Sequence, residues 1–287
     1  MVQKKSTKLL IRTIKISIAI ILVFFAVLPT FWILATSFNK AQSLLGASII
    51  PKHLTLNNYV ELLTSKTLNF SKWMLNSFKV TLISVILIVA ITCLTAYALS
   101  RFRFKGKKSV MMGIMLMNIF PGILAMIAIY TMLQQFGIYI PGIGLNTHGG
   151  LICIYVSGAM SINVLMVKAY IDSIDVALDE SALIEGASYF QIFWKIIFPV
   201  IRPMVITIAI LAFMSTYGDF VIANILLKGN DKITVMAGIY QFTQQRFVTN
   251  WGIVTAGTVI AAIPTIVIFF CTQKYILNGL TAGAVKG

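Results

Sequence analysis

Long runs of apolar residues, not a two-residue alternation, set the pattern of this chain. The first uncharged run is Ile16 to Asn39, preceded by Lys4, Lys5, Lys8, Arg12 and Lys15. It exceeds the roughly 7–15 apolar residues of a cleaved leader and ends in Phe31 and Trp32, so it reads as a retained first helix. A second run covers Val80 to Ser100. Then 58 residues, Val110 to Val167, carry no Lys, Arg, Asp or Glu. One crossing of a ~30 Å hydrocarbon core needs only about 20 residues. The turn formers from Gln134 through Gly137, Pro141 and Gly142 to Asn146, Gly149 and Gly150 divide that stretch into two helices. A fifth run covers about Met204 to Leu227 and a sixth about Gly252 to Thr272. The pattern predicts an all-α polytopic membrane protein, a single membrane domain over 1–287. Its six spans lie near 16–37, 80–100, 110–132, 149–167, 204–227 and 252–272.

Composition agrees. Hydrophobic residues make up 59% of the 287 and charged residues 11%, well under the ~25% of soluble domains. The net charge of +15 raises nucleic acid as a partner, but the basic residues flank apolar runs, as membrane-anchoring positions do. With the N-terminus inside, fifteen Lys and Arg fall in inner segments and eight in outer ones. Both termini are therefore expected in the cytoplasm. Arg101, Arg103, Lys105, Lys107 and Lys108 form the densest group and read as an inside anchor. Cys93, Cys153 and Cys271 are scattered within apolar runs, and His53 and His148 stand alone, so neither a disulfide framework nor a metal site is expected.

Five of the eight acidic residues lie between Asp172 and Glu185, in the inner loop 168–203 between the fourth and fifth spans. Ile174, Leu178 and Ala182 recur every four residues, and Asp172, Asp175 and Asp179 follow another face. Gly186 suits a left-handed helix end, and Ser188 with Gln191 matches a capping box. The loop therefore reads as a short helix, a tight turn, and an apolar second helix leading to Pro199. A rigid knob projecting into a groove of another protein fits this pattern, and so does an amphipathic helix that shields the floor of the bundle.

The stretch Glu180-Ser-Ala-Leu-Ile-Glu185-Gly186-Ala187, with Ile-Ile-Phe-Pro199 beyond it, resembles the EAA loop of permease subunits of binding-protein-dependent ABC importers. In the family pattern, Glu-Ala-Ala is followed by Gly and then by Ile-x-Leu-Pro. Here Ser181 stands for the first Ala, Glu185 for the usual Asp, and Phe198 for Leu. Twelve residues separate Gly186 from Pro199, in keeping with the family's spacing, and the resemblance runs from about Lys72 to the C-terminus. The closing segment 273–287 is similar to the tail of maltose/maltodextrin and related oligosaccharide permeases, in the smaller of their two membrane subunits. Asn-Trp251-Gly252 and Tyr-Gly-Asp219-Phe fit that subgroup more loosely.

The resemblance implies a type I ABC importer permease fold with a cytoplasmic coupling helix between spans four and five. It implies one half of a heterodimeric translocation pathway in the bacterial cytoplasmic membrane. Glu180, Ser181, Ala182, Glu185 and Gly186 would seat in a cleft of a cytoplasmic ATPase dimer. Gly279, Gly283 and Gly287 of the tail would reach the same partner. Gln241, Gln244, Gln245 and Arg246 would contact an extracellular or periplasmic solute-binding protein.

No nucleotide site is expected in this chain. Gly106-Lys107-Lys108-Ser109 ends like a phosphate-binding loop, but that motif needs a glycine where Arg101 stands. No cofactor is expected here, and ATP with Mg belongs to the partner. No nucleic acid is expected either. Asp219 reads as the one carboxylate within a span, about 22 Å along it from Met204. Intramembrane acids are candidate functional groups, and a proton-coupled carrier would use one, whereas a hydrated structural role suits its position near the outer surface. A membrane enzyme would need a convergent acid, base or nucleophile, and the spans supply none. Tyr130, Asn163, Tyr217 and Asn224 could line a sugar path, yet buried Asn and Tyr also serve as interhelical contacts, so no substrate site is assigned.

Overall fold

A computed structural model describes residues 5–39, 54–65, 68–119, 122–244 and 250–282. Among them the regular structure is helical, apart from an isolated bridge between Asn39 and Leu54. Five helices are long and apolar enough to cross a membrane: Ile11–Ser37, Phe70–Arg101, His148–Asp172, Tyr189–Gly218 and Trp251–Gln273. These correspond to the predicted first, second, fourth, fifth and sixth spans, and four of them reach well beyond the predicted limits. Hydropathy marks the part of a helix that sits in hydrocarbon, whereas backbone hydrogen bonding continues past it.

The predicted third span, 110–132, is not one continuous helix. It consists of α4 (Lys107–Ile119), a 3₁₀ turn (Gly122–Ala125) and α5 (Met126–Tyr139). Residues 120 and 121, between α4 and the 3₁₀ turn, lie outside the described residues. The fifth predicted span ends early as well. Its helix stops at Gly218, and a separate short helix covers Val221–Leu226. Asp219 is therefore not inside a span but in the break between two helices.

The chain forms two compact units. The first takes residues 1–70 and 239–263. It contains α1 (Lys5–Ser37), α2 (Asn57–Thr64) and the start of the last helix, α12 (Trp251–Ala282). Helix α1 buries none of its most apolar window, and a helix apolar on every side and exposed is one that lies in lipid. Its end is closed by α2. The Asn58 amide donates to the carbonyls of Ser37 and Asn39, both at 2.9 Å, and the hydroxyls of Ser37 and Tyr59 lie 2.7 Å apart. The last carbonyls of a helix have no partner within it, and in a membrane protein such groups need one.

The second unit takes residues 71–238 and 264–287. It holds most of α3 (Phe70–Arg101), then α4, α5, α6 (His148–Asp172), α7 (Ala177–Ile184) and α8 (Tyr189–Ile192). It continues with α9 (Phe198–Gly218), α10 (Val221–Leu226), the start of α11 (Val235–Thr243) and the later part of α12. Helix α6 lies along α9, and α4 along α6. The core is aliphatic, with Ile88, Leu99, Leu151, Ile171, Ile197 and Ile208 almost wholly buried. An apolar crevice of about 390 Å³ lies beside α3, against Cys93, Phe193 and Trp194. Its lining carries no polar surface with which to hold a sugar.

One turn of α3 secures the loop that precedes α11. Trp73 donates from its indole nitrogen to the Asn230 carbonyl at 2.8 Å. Asn76 donates to the carbonyls of Asp231 and Ile233, and Ser77 accepts from the backbone of Val235 at 2.8 Å. Ser77 and Arg101 are twenty-four residues apart on one helix, about 36 Å at 1.5 Å per residue. The two ends of α3 thus serve loops on opposite sides of a membrane-sized slab.

Candidate functional site

The acidic loop is built from local signals. Helix α6 runs on to Asp172, so the predicted short helix begins later than its periodicity suggests. A turn at 173–176 intervenes, and Asp175 accepts a hydrogen bond from the Ala177 backbone at 3.0 Å as α7 starts. Helix α7 is only eight residues long. It ends in a two-bond left-handed cap: Gly186 N–H donates to the Leu183 carbonyl at 3.0 Å, and Ala187 N–H to the Ala182 carbonyl at 2.9 Å. Gly186 has φ +86°, a conformation in which a side chain is strained. The capping box is present as the sequence indicates. Ser188 Oγ accepts from the Gln191 backbone, and Gln191 Oε1 accepts from the Ser188 backbone at 2.8 Å.

The second helix does not stop at Pro199. It continues through a π-helical turn, Phe193–Ile197, directly into α9, so that Tyr189–Gly218 is one 30-residue rod. Proline cannot donate to the carbonyl one turn earlier. The π turn, in which Phe198 donates to Phe193, shifts the bonding pattern just ahead of Pro199 and lets the helix pass.

On this scaffold Glu180, Ser181, Glu185 and Gly186 are exposed, and Ala182 is buried. Ala182 therefore forms the packed floor of the knob, not its outer face. Ser181 turns its hydroxyl back to the Ala177 carbonyl at 2.7 Å. Three apolar side chains that periodicity did not single out as surface share the outer side: Leu178, Leu183 and above all Ile184, 88% exposed. The knob thus presents carboxylates interleaved with bare aliphatics. That mixture suits a protein groove with basic and apolar walls.

Asp179, which periodicity set on a face with Asp172 and Asp175, is not among the residues the sequence singles out for the knob. It is buried, and its Oδ2 lies 2.6 Å from Nε of Arg101, whose side chain is also buried. Arg101 Nη2 donates to the Ile174 carbonyl at 3.0 Å. Lys107 also turns inward, donating to the carbonyls of Ser100 and Phe102. Two of the five bases read as membrane anchors are thus committed to protein. Five acids and five bases predicted on the same side of the membrane were the available signal.

The remaining candidates are dispersed. Gln241 and Gln244 are exposed near the end of α11, while Gln245 and Arg246 lie outside the described residues. Gly279 falls within α12, and Gly283 and Gly287 lie outside the described residues. Tyr217 is a core side chain, stacked on Phe213 at 5.3 Å with its hydroxyl toward Met74. Asn163 is buried in α6, Tyr130 is partly exposed on α5, and Asn224 accepts from Lys228 through its backbone. These four do not converge on one site. Asp219 accepts from the Tyr155 hydroxyl at 2.8 Å and from the backbone of Ala223 at 3.0 Å, so it starts α10 and ties it to α6. Among the described residues no cluster of His, Cys, Asp or Glu could hold a metal ion.

Comparison with known proteins places this geometry among relatives. The family model for the binding-protein-dependent transport system inner membrane component matches residues 88–280. The galactooligosaccharides transport system permease protein GanQ of Bacillus subtilis is 37% identical over 272 residues, covering 93% of this chain and 94% of the relative. The maltose/maltodextrin transport system permease protein MalG of Vibrio parahaemolyticus is 36% identical over 273 residues, with 91% of each chain covered. The fold is similar to a chain of a bacterial ABC transporter involved in the import of the acidic polysaccharide alginate. There the TM-score is 0.82 at 22% identity, covering 96% of this chain and 99% of the other.

Proposed function

The chain belongs to the family of binding-protein-dependent transport system inner membrane components, and we propose that it is one of two permease subunits of an ATP-driven oligosaccharide importer. It is a multi-pass transport component of the membrane, with the fold of an ABC importer permease. In this reading it forms half of the translocation pathway in the bacterial cytoplasmic membrane, with both termini in the cytoplasm. A companion permease supplies the other half, and a solute-binding protein delivers the sugar from outside. A separate ATPase dimer hydrolyses Mg-ATP, and this chain holds no cofactor.

The observation that carries the reading is the knob on α7. It is a short helix locked at both ends, with Glu180, Glu185 and Ile184 facing outward, and it leads through one turn into the unbroken rod Tyr189–Gly218. A load applied to that helix reaches α9 without passing through a flexible loop. Seated in an ATPase cleft, the knob converts closure of the ATPase dimer into rocking of packed helices, a recognised route to alternating access. Gly186 leaves room for the partner's backbone to approach, because nothing lies within 4 Å of where a Cβ would stand. A proton-coupled carrier has little support, since Asp219 is engaged in capping α10 and in a hydrogen bond to Tyr155.

The transported class is a neutral oligosaccharide, a maltodextrin or a galactooligosaccharide, by likeness to relatives whose chains this one covers almost fully. The test is reconstitution in liposomes with the companion permease, the ATPase and the binding protein. ATP hydrolysis and uptake are measured with maltodextrins and, separately, with galactooligosaccharides. Stimulation that requires the loaded binding protein is the expected result, and the sugar that gives it names the substrate. An assembled complex indifferent to both sugars would refute the substrate class. A chain that recruits no ATPase would refute the importer reading.

A further inference from the structure

Basic residues that follow a membrane-spanning helix ordinarily extend their charged ends into water and headgroups. Arg101, the last residue of α3, does the reverse. Its side chain is 6% exposed and that of Asp179 is 7% exposed, with Nε and Oδ2 at 2.6 Å. Its Nη2 reaches the carbonyl of Ile174, in the turn that leads into α7. A buried ion pair is a poor choice where only cohesion is needed, because both charges lose their hydration and apolar side chains of equal volume hold as well. This pair is not even fully satisfied, since Arg101 Nε and Asp179 Oδ1 have no aligned hydrogen-bond partner. An ion pair differs from an apolar contact in direction: it joins one atom to another and so fixes the orientation of the helix that carries it.

The surroundings extend the joint to both sides of α7. Before it, Ser100 donates to Asp172 at 2.5 Å, and Lys168 pairs with the same carboxylate. After it, the Tyr97 ring lies 5.1 Å from that of Phe193, and Phe102 lies 5.1 Å from Tyr189 in an edge-to-face contact. Residues 97–102, at and just past the end of α3, therefore touch the chain on entering and leaving the knob, and Arg101 reaches α7 itself. We propose that Arg101 is a positioning residue whose pairing with Asp179 locks the coupling helix to the inner end of α3, so that force on α7 enters this spanning helix as well as α9. The proposal rests on the importer reading above. It adds a second line of transmission, through a residue that faces neither ATPase nor sugar.

The test uses the complete transporter in liposomes, with ATP hydrolysis and uptake of whichever sugar the wild type moves read in the same vesicles. Arg101→Ala is expected to keep basal hydrolysis within about twofold and to lower sugar moved per ATP by about tenfold or more. Arg101→Lys, which keeps the charge, recovers part of that ratio. The exchanged pair Arg101→Asp with Asp179→Arg recovers more than either single change. An unaltered ratio in Arg101→Ala overturns the proposal. Failure of all these variants to assemble also overturns it, because the pair is then a folding element.

A second measurement needs no sugar. Nitroxides at Lys105→Cys and Ala177→Cys, in complexes lacking Cys153 and Cys271, report a narrow distance distribution in the wild type and a broadened one in Arg101→Ala. Equal widths overturn the proposal. Should the wild type hydrolyse ATP yet move neither sugar, the substrate reading fails, and the distance distributions still decide the role of Arg101.

Discussion

Gly186 separates backbone conformation from available space. Its φ of +86° is left-handed, and no heavy atom lies within 4 Å of a Cβ built there. Gly186→Ala therefore meets no clash within this chain, and its cost is conformational. Holding an L-residue in the left-handed region costs about 1–2 kcal/mol. Abandoning that region instead would forfeit the two cap bonds from Gly186 and Ala187, each contributing about 0.5–1.5 kcal/mol. The two penalties are similar, so the alanine variant divides between a strained cap and a frayed one. A change of 1–2 kcal/mol is a factor of about 5–30 in population. Asn tolerates the left-handed region better and should fall between Gly and Ala. Hydrogen exchange at the amides of Gly186 and Ala187 should therefore quicken in the order Gly, Asn, Ala, and sugar uptake per ATP should fall in the same order. Thermal unfolding of the whole permease should change little, because the defect is local. Equal exchange in Gly186 and Gly186→Ala would refute the conformational argument. Normal uptake by Gly186→Asp, which adds a charge as well, would refute the placing of this turn against a partner.

Further outcomes follow from the same structure. Gly238→Ala places a Cβ 2.2–2.6 Å from the Trp73 ring. It should destabilise the fold by about 1–3 kcal/mol as overpacking does, with a matching shift in tryptophan fluorescence and melting temperature. Ile184→Ser removes an 88% exposed apolar side chain. It should alter stability by no more than about 0.5 kcal/mol while weakening ATPase association in pull-down, and unaffected association would remove Ile184 from the docking surface. Tyr155→Phe deletes the hydroxyl bonded to Asp219. A hydrogen bond to a charged group contributes about 1.5–3 kcal/mol, so the melting temperature should drop while uptake per ATP holds. Asp219→Asn keeps an oxygen for the Ala223 amide and should leave uptake active with an unchanged pH profile. Abolished uptake together with a lost pH dependence would revive the carrier alternative.

What the sequence showed, and what it hid, divides along the range of the interactions. Gly186, Ser188 and Gln191 act through neighbours within a few residues, so the cap and the capping box were legible. Helices α1, α3, α6, α9 and α12 announced themselves through apolar length. The continuation past Pro199 was not legible, because a proline normally ends a helix and the compensating π turn leaves no side-chain signature. Periodicity put Ile174, Leu178 and Ala182 on one face; the turn at 173–176 separates Ile174 from α7, and within α7 the structure buries Ala182 and exposes Leu178. Arg101 and Asp179 are 78 positions apart, and nothing local distinguishes Arg101 from the four bases that follow it.

The size of α7 explains why so many devices converge on it. Isolated helices shorter than about 12–15 residues are marginal in water, and this one has eight. It also turns Leu178, Leu183 and Ile184 outward, so it forgoes much of the burial that would otherwise hold it. Its order must then come from its ends and from a few directed contacts. Asp175 supplies one at the start and Gly186 at the finish, Ala182 seats the floor, and the Arg101–Asp179 pair fixes its orientation. Lengthening the helix or burying its apolar side would stabilise it more simply, but either would remove the surface on which the proposed docking relies. On the importer reading proposed above, the arrangement suits a helix whose outer face is left to another protein and whose position relative to α3 and α9 must survive the load that protein applies.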